Sequence, residues 1–378
     1  MKVAIVHPWF LEAGGGEKVV DVLADMYPDA AIFMLSVDPD ILSPALRNRE
    51  IIKSKLNKVL LRCGFLRNYL FPLYPWAIES LDLSEYDLII SSCPPVMGIN
   101  VRQDAVHICY CHTPQHSWWD LYAEHQAKLS WLKRNVFVLA AVFHRMWEFS
   151  AMQRVDYVVA NSNYVARRIF KYFRRESTVI FPPVNTSMGY LDSHHHDYYL
   201  SVSRLTTSKR IDLLILACNQ IKRRLLVVGT GGRTKELEAI AGPTIEFCGG
   251  VSDAELPALY AKCRAFVFAS DEDFGIAPVE AQAFGRPVIA YGRGGSLETV
   301  RVGDSMGSSD TGIFFSAQTV ESVVDAILRF ESKESCFNSA EIQQHARQFD
   351  TAIFVSRMRQ FVDAAFQNDL GIRTSQTL

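Results

Sequence analysis

Residues 266–298 read FVFASDEDFGIAPVEAQAFGRPVIAYGRGGSLE and carry two strand-then-turn signals in succession. Residues 264–269 form a buried strand that opens into the acidic loop Asp271-Glu272-Asp273. Phe274-Gly275-Ile276 then starts a helix whose packed side holds Val279, Ala281 and Phe284, and Gly285-Arg286-Pro287 stops it. A second apolar strand, Val288–Tyr291, runs into Gly292-Arg293-Gly294-Gly295. Two strands joined by a helix are parallel, so the acidic loop and the glycine loop both fall at the carboxyl edge of one sheet, where doubly wound folds bind ligands. Glu272 precedes the helix and Glu280 lies within it. The unpaired N–H groups of the first turn, at Phe274, Gly275 and Ile276, are available to oxygen atoms.

Strand and helix patterns alternate outward from here in both directions, which predicts an α/β protein with parallel sheets. In the second half the strands are read at 198–203, 225–229, 244–248, 265–269 and 288–291, each with a helix behind it. In the first half, strands at 2–7, 30–36, 87–91, 105–110, 155–160 and 178–181 alternate with helices. Gly14-Gly15-Gly16-Glu17 leads into the first helix, and residues 51–70 are read as a helix or helix pair. Asn161-Ser162-Asn163 caps a later helix. Pro182-Pro183 and the polar run 192–197 mark a linker. The organisation expected is an N-terminal domain over 1–185, a linker at 186–197, a C-terminal domain over 198–346, a helix at 347–368 that crosses back to the first domain, and a disordered polar tail at 369–378.

Composition narrows the classes. With 378 residues, 49% of them hydrophobic, the chain can build two substantial cores. A formal net charge of −2 speaks against nucleic acid as a partner. The eight cysteines lack metal-site spacing and read as reduced cytosolic thiols. His7 and Pro8 cut short the apolar start, which argues against a signal peptide. No run reaches the roughly 20 apolar residues of a membrane span; the nearest, 136–143, is flanked by Lys133, Arg134 and Arg145. The expectation is a cytoplasmic protein, soluble or peripheral. Lys53, Lys55, Lys58, Arg62 and Arg67 stand in a segment free of acidic residues that continues into aromatic residues up to Trp76. That segment reads either as a surface for anionic lipid or as an ordinary helix with a solvated basic face.

The strand ends of the second half together form an inventory: Arg204 with Lys209, Gly229-Thr230-Gly231-Gly232, Gly249-Gly250, Asp271-Glu272, and the glycine loop 292–295. Cations and helix N-termini suit a diphosphate, and Glu280 suits vicinal hydroxyls. The first half adds Gly14–Gly16 and His112 at its own carboxyl edge. Gathered around one cleft, these groups describe a nucleotide-sugar site.

The chain resembles the retaining glycosyltransferases of family 4, whose GT-B architecture has two facing Rossmann-like doubly wound parallel-sheet domains. The Glu-x7-Glu motif occurs as Glu272 to Glu280, and the phosphate pair lies within Ser203-Arg204-Leu205-Thr206-Thr207-Ser208-Lys209. Residues 110–122 (YCHTPQHSWWDLY) and 272–300 are similar to bacterial mannosyltransferases that build O-antigen and exopolysaccharide on a lipid carrier. The resemblance implies that Arg204 and Lys209 neutralise the donor diphosphate and that Gly15 and Gly16 let the backbone approach it. It implies ribose binding by Glu280, donor-sugar contacts by Glu272 and the backbone of Phe274, Gly275 and Ile276, and a place for Val251 beside the base. His112 would act at the reacting centre. Asp273 departs from the glycine many relatives carry. The implied reaction moves mannose from GDP-mannose, without a metal cofactor, to a polyprenyl-diphosphate-linked saccharide at the inner face of the membrane.

Plainer readings stand beside these. Asp271-Glu272-Asp273 and Asp38-Pro39-Asp40 fit a metal-binding Asp-x-Asp pattern, but short acidic pairs are common by chance, and no metal requirement is expected. The histidines at 194–196 read as solvated linker. The tryptophans at 118, 119, 131 and 147 line an acceptor side or, for most of them, belong to the core. The same fold using a UDP-sugar, and a nucleotide-sugar binder without transfer activity, are the alternatives. A phosphorylase or epimerase would leave the basic aromatic segment without a purpose.

Overall fold

The computed structural model describes residues 1–10, 14–62, 70–194, 196–303 and 309–376. The chain forms two compact units, one of Met1–Pro183 with Phe354–Leu378 and one of Val184–Ile353.

The first unit holds seven strands: β1 (Val3–Phe10), β2 (Ala31–Val37), β3 (Ile51–Lys53), β4 (Leu88–Ser92), β5 (Val106–Cys111), β6 (Tyr157–Ala160) and β7 (Thr178–Val179). They are parallel, in the order β3-β2-β1-β4-β5-β6-β7. Strand residues alternate between the two faces of a sheet. Val3 and Ile5 accordingly join a core with Val19, Val20 and Leu23 of the helix Gly15–Met26, whereas Ala4 and Val6 pack with Tyr74, Ala77 and Ile78 on the other face.

The second unit repeats the scheme with β8 (Tyr199–Val202), β9 (Leu225–Val228), β10 (Ile245–Gly249), β11 (Ala265–Phe268), β12 (Val288–Tyr291) and β13 (Gly312–Phe315), in the order β10-β9-β8-β11-β12-β13. Val227, Val267 and Ile289 face the helices Ile211–Ile221 and Val320–Lys333, and Leu226, Phe266 and Val288 face Tyr260, Ala281 and Phe284. In each sheet the strand order reverses direction once, at β1/β4 and at β8/β11. The carboxyl ends of those strand pairs are the ligand-binding switch points of such folds.

The helix Thr351–Gln376 places Phe354, Met358, Val362 and Ala365, spaced by three or four residues, in the first unit's core. Tyr157 Oη donates to Ala365 O at 3.2 Å, and the Phe354 ring lies 5.8 Å from that of Tyr110.

Several local expectations are corrected. Ile51–Lys53, read as helical, is an edge strand with Ile51 registered on Ile32, and a helix begins only at Asn57. Two adjacent β-branched isoleucines favour the strand, and the Lys53 and Arg62 basic pattern misled the helical reading; residues 63–69, Arg67 among them, lie outside the described residues. Strand β13 was not foreseen, since its four residues GIFF carry no alternation and follow a polar loop. The tail beyond residue 368, expected to be disordered, continues the last helix to Gln376. Strand β7 ends at Val179, two residues sooner than read. His195 of the linker histidines lies outside the described residues.

Candidate active site

In the second unit the switch point is built by the segments leaving β8 and β11. After β8 the chain makes a tight turn at Thr207–Lys209 and enters the helix Ile211–Ile221. Arg204 is exposed at the start of this segment and Lys209 is partly buried at its end. After β11, Glu272 reaches back across the switch point, and Lys209 Nζ donates a hydrogen bond to Glu272 Oε1. Both side chains retain access to solvent, at 19% for Lys209 and 26% for Glu272. A cation and a carboxylate paired at a strand-end switch point satisfy each other's charge, and the two are of the kinds that suit a phosphate and a hydroxyl group respectively.

The glycine turns let these segments approach. Gly229, at φ +128, sits so close to the Ser203 carbonyl that a Cβ would overlap it. Its N–H donates to Gly249 O at 2.7 Å, which ties the ends of β9 and β10 together. Gly294, at φ +65, lies against the Glu272 carbonyl and 2.8 Å, measured from an added Cβ, from Asp271 Oδ1. Gly295 N–H donates to Glu272 O at 2.7 Å. The loop after β12 thus supports the loop that carries Glu272, and Arg293 Nε adds an ion pair to Asp271 Oδ2 at 3.0 Å.

The helix Ile276–Ala283 starts from Gly275, whose φ of +89 turns the chain sharply. Glu280 lies on its second turn and accepts a hydrogen bond from the buried Tyr260 hydroxyl, 2.9 Å from Oε2. One oxygen of Glu280 is thereby anchored from beneath, which orients the carboxylate. Val251 is half-buried after β10 and packs on the core cluster that includes Tyr260. Phe274 is buried, with its ring 5.6 Å from Phe349.

The first unit carries a second constellation at the carboxyl ends of β1, β4 and β5. His112 follows β5, and its Nε2 lies 2.8 Å from Ser92 Oγ at the end of β4. The Tyr110 ring meets it edge-on at 5.2 Å. Gly16, in the first turn of the helix after β1, passes beside this imidazole: its Cβ position is 3.7 Å from His112 Nε2. Gly15 opens the same helix. His7 completes the group, with Nδ1 3.2 Å from Ser92 O. Burial, reinforced by the neighbouring His112, lowers the His7 pKa to about 3, so the ring is neutral and gives its Nδ1 proton to the Ser92 carbonyl.

Sequence reasoning thus placed Arg204, Lys209, Glu272, Phe274, Gly275, Ile276, Glu280 and Val251 in one unit, and Gly15, Gly16 and His112 in the other. It missed His7, within β1, and Ser92, the last residue of β4, although both belong to the strands that flank the switch point. It also missed Arg168, whose signal was a cation on the apolar face of the helix Asn163–Phe173, beside Val165 and Ile169. Arg168 is buried and holds the loop after His112. Its guanidinium donates to Thr113 Oγ1, to Pro114 O at 2.8 Å and to Asp120 Oδ1 at 2.8 Å. Asp120 also pairs with His116 Nδ1 at 2.9 Å. Burial tends to raise the Asp120 pKa, but the hydrogen bond from His116 and the Arg168 charge outweigh it and hold the carboxyl below its usual range.

Of the tryptophans, Trp118 is buried and stacks on His144 with ring centroids 4.9 Å apart, whereas Trp131 is exposed. Among the described residues no group of three His, Cys, Asp or Glu side chains converges as metal ligands, and no helix is long and apolar enough to cross a membrane.

Known proteins share this pair of parallel sheets. Residues 13–188 match the model of Glycosyltransferase Family 4, and residues 192–349 match that of Glycosyl transferases group 1. The α-1,3/1,6-mannosyltransferase ALG2 of Kluyveromyces lactis is 27% identical over 373 residues, covering 79% of this chain and 71% of the relative. A GDP-mannose-dependent α-(1-6)-phosphatidylinositol monomannoside mannosyltransferase of Mycobacterium tuberculosis is 35% identical over 144 residues, 33% of this chain and 36% of the relative. Among solved structures, Anabaena HepE in complex with UDP aligns with a TM-score of 0.71 at 18% identity, over 96% of this chain and 100% of that one. Sucrose-phosphate synthase of Thermosynechococcus elongatus aligns with a TM-score of 0.70 at 18% identity, over 97% and 100%. Matched in turn along both halves and built on two Rossmann-like parallel sheets, the chain belongs to the family 4 glycosyltransferases of GT-B fold.

Proposed function

We propose that this glycosyltransferase is a hexosyltransferase that moves mannose from GDP-mannose to a lipid-linked saccharide, with retention at the anomeric carbon, as a step in building a surface polysaccharide. The observation that carries the donor assignment is the Lys209–Glu272 pair at the β8/β11 switch point, flanked by exposed Arg204. The names of the mannosyltransferase relatives support the sugar, and the word GDP-mannose in the mycobacterial one supports the base. The lipid-linked acceptor is the part of the reading that rests on motif resemblance.

In this reading Lys209 and Arg204 meet the diphosphate, where negative charge develops as the bond to the sugar breaks. Glu272, released from Lys209, accepts hydrogen bonds from sugar hydroxyls. Glu280, anchored by Tyr260, accepts those of the ribose, and the N–H groups at 274–276 approach the sugar. The family resemblance assigns Gly15 and Gly16 to the donor phosphate and His112, whose Nε2 meets Ser92 Oγ, to the reacting sugar. The reading assigns no residue the part of a covalent nucleophile. Catalysis then rests on positioning and on charge stabilisation of an oxocarbenium-like ion pair, and the reaction needs no metal.

The test is thermal-shift and calorimetric titration with GDP, UDP and ADP, each with and without chelator, followed by transfer assays with GDP-mannose. Selective stabilisation by GDP that survives chelation is expected. Selective stabilisation by UDP would replace the sugar assignment, and stabilisation lost on chelation would remove the metal-independent mechanism.

A further inference from the structure

The helix Trp131–Gln153 of the first unit carries an apolar face that the described residues do not cover. Trp131 is 78% exposed, Leu139 73%, Met146 69% and Leu132 67%, and Val136, Val142, Phe143 and Phe149 are exposed with them. At about 100° per residue these eight side chains occupy an arc of roughly 140°. The opposite arc is already taken: Ala141, His144, Glu148, Ala151 and Met152 are buried against the unit, and His144 stacks on Trp118. The helix is therefore fixed with its apolar face outward from its own unit's core. So large a contiguous apolar surface marks an interaction site.

The charges choose the partner. Residues 125–147 contain no Asp or Glu, and Lys128, Lys133 and Arg134 are exposed at the N-terminal end of the helix. The carboxylate that follows, Glu148, is buried. An apolar face with a cationic border and a tryptophan at its end suits the boundary of an anionic bilayer, where indole sits at headgroup level. A second copy of the chain fits less well, because the face is wider than the seam a coiled-coil partner covers. The neighbouring helix Tyr74–Glu79 extends the surface: Trp147 Nε1 donates to Glu79 Oε1 at 3.4 Å, and that segment exposes Leu73 and Trp76, with Lys55 Nζ 5.7 Å from the Trp76 ring centroid.

We propose that the exposed face of the helix Trp131–Gln153 seats the protein on an anionic lipid surface, lying in the interface rather than crossing it. The proposal deepens the lipid-linked-acceptor reading, because it assigns the surface through which a soluble fold reaches an acceptor held in a membrane.

The experiment is flotation of the full chain with vesicles of phosphatidylglycerol and phosphatidylcholine, against phosphatidylcholine alone. Wild type is expected to float with the anionic vesicles. Leu132→Ser/Leu139→Ser/Phe143→Ser should lower that partition at least tenfold, and Lys133→Glu/Arg134→Glu should lower it on anionic vesicles while leaving the weak neutral binding unchanged. Brominated acyl chains should quench fluorescence in wild type more than in Trp131→Phe. All three variants should keep the wild-type melting temperature and its shift with GDP, because none of these residues belongs to the donor site. Partition unchanged in the triple variant would overturn the proposal. So would absence of vesicle binding by wild type together with a dimer that the triple variant abolishes. Failure of the donor reading appears separately, as vesicle binding without any nucleotide-dependent stabilisation; failure of the surface appears as GDP-mannose turnover on a water-soluble acceptor without vesicle binding.

Discussion

Lys209 and Glu272 are 63 residues apart in sequence yet share a hydrogen bond, because β8 and β11 are neighbours in the second sheet. The segment after β8 delivers a cation, the segment after β11 delivers a carboxylate, and the reversal of strand order leaves space above both. Each charge is held in place by the other.

Removing either partner should therefore affect the reaction in different ways. Lys209→Ala should lower kcat/KM by roughly 10²–10³-fold, the range for losing one donor to developing charge, with the melting temperature nearly unchanged because the side chain is solvent-accessible. Glu272→Gln should preserve binding of the nucleoside diphosphate and reduce turnover, since the proposed function sets the diphosphate against Lys209 and the sugar against Glu272. Steady-state kinetics beside calorimetry with GDP separates the two. Equal loss of GDP affinity in both variants would contradict the division of roles.

The Ser92–His112 hydrogen bond supports a second prediction. Ser92→Ala removes one hydrogen bond of about 1 kcal/mol, so kcat should fall about three- to tenfold with donor KM little changed, as expected when an imidazole loses its orientation. His112→Ala should cost more than Ser92→Ala, and the double variant should be no worse than His112→Ala. Additive losses would show that Ser92 acts otherwise than through His112.

Glu148 makes stability depend on pH. Its carboxyl is buried, accepts from Trp119 Nε1 at 2.7 Å, and has its pKa pushed up by burial to about 7, from the ordinary 4.5 of a glutamate. Between those values the folded state binds the proton and the unfolded state does not, so stability falls as pH rises from about 4.5 to 7 and then levels. The shift corresponds to about 3 kcal/mol at most. Glu148→Gln keeps an acceptor for Trp119 without the buried charge and should be more stable than wild type at pH 8 by about 1–3 kcal/mol. Denaturant unfolding at pH 5 and pH 8 measures the difference; an identical pH slope in wild type and variant would refute the assignment.

Gly294→Ala should damage the site without touching a charged group. The residue has φ +65 and abuts the Glu272 carbonyl, so a methyl group costs about 1–3 kcal/mol of strain or moves the Glu272 loop. Turnover should drop at least tenfold while GDP still binds. Wild-type kinetics would mean that the two loops move independently.

The expected fold was legible because each buried strand and its following helix are local patterns. Apolar runs such as Val288–Tyr291, and stop signals such as Gly285-Arg286-Pro287, need no distant partner to be read. Charged and glycine residues directly after those strands identified the donor-site candidates for the same reason. Short elements were not legible: the edge strand Ile51–Lys53 and β13 exist because β2 and β12 offer them hydrogen-bonding partners, not because three or four residues specify a strand.

By itself, then, the sequence determined the alternation of strands and helices, the parallel sheets that alternation requires, and the chemical character of each strand end. Tertiary structure alone decided which strand ends became neighbours. Pairing β8 with β11 brought Lys209 to Glu272, pairing β4 with β5 brought Ser92 to His112, and the packing of the helix Trp131–Gln153 left Leu132, Leu139 and Phe143 outside. The reason is physical. A periodic pattern records that one face of an element is apolar, but whether that face meets the core or solvent depends on the surfaces that other elements have already covered.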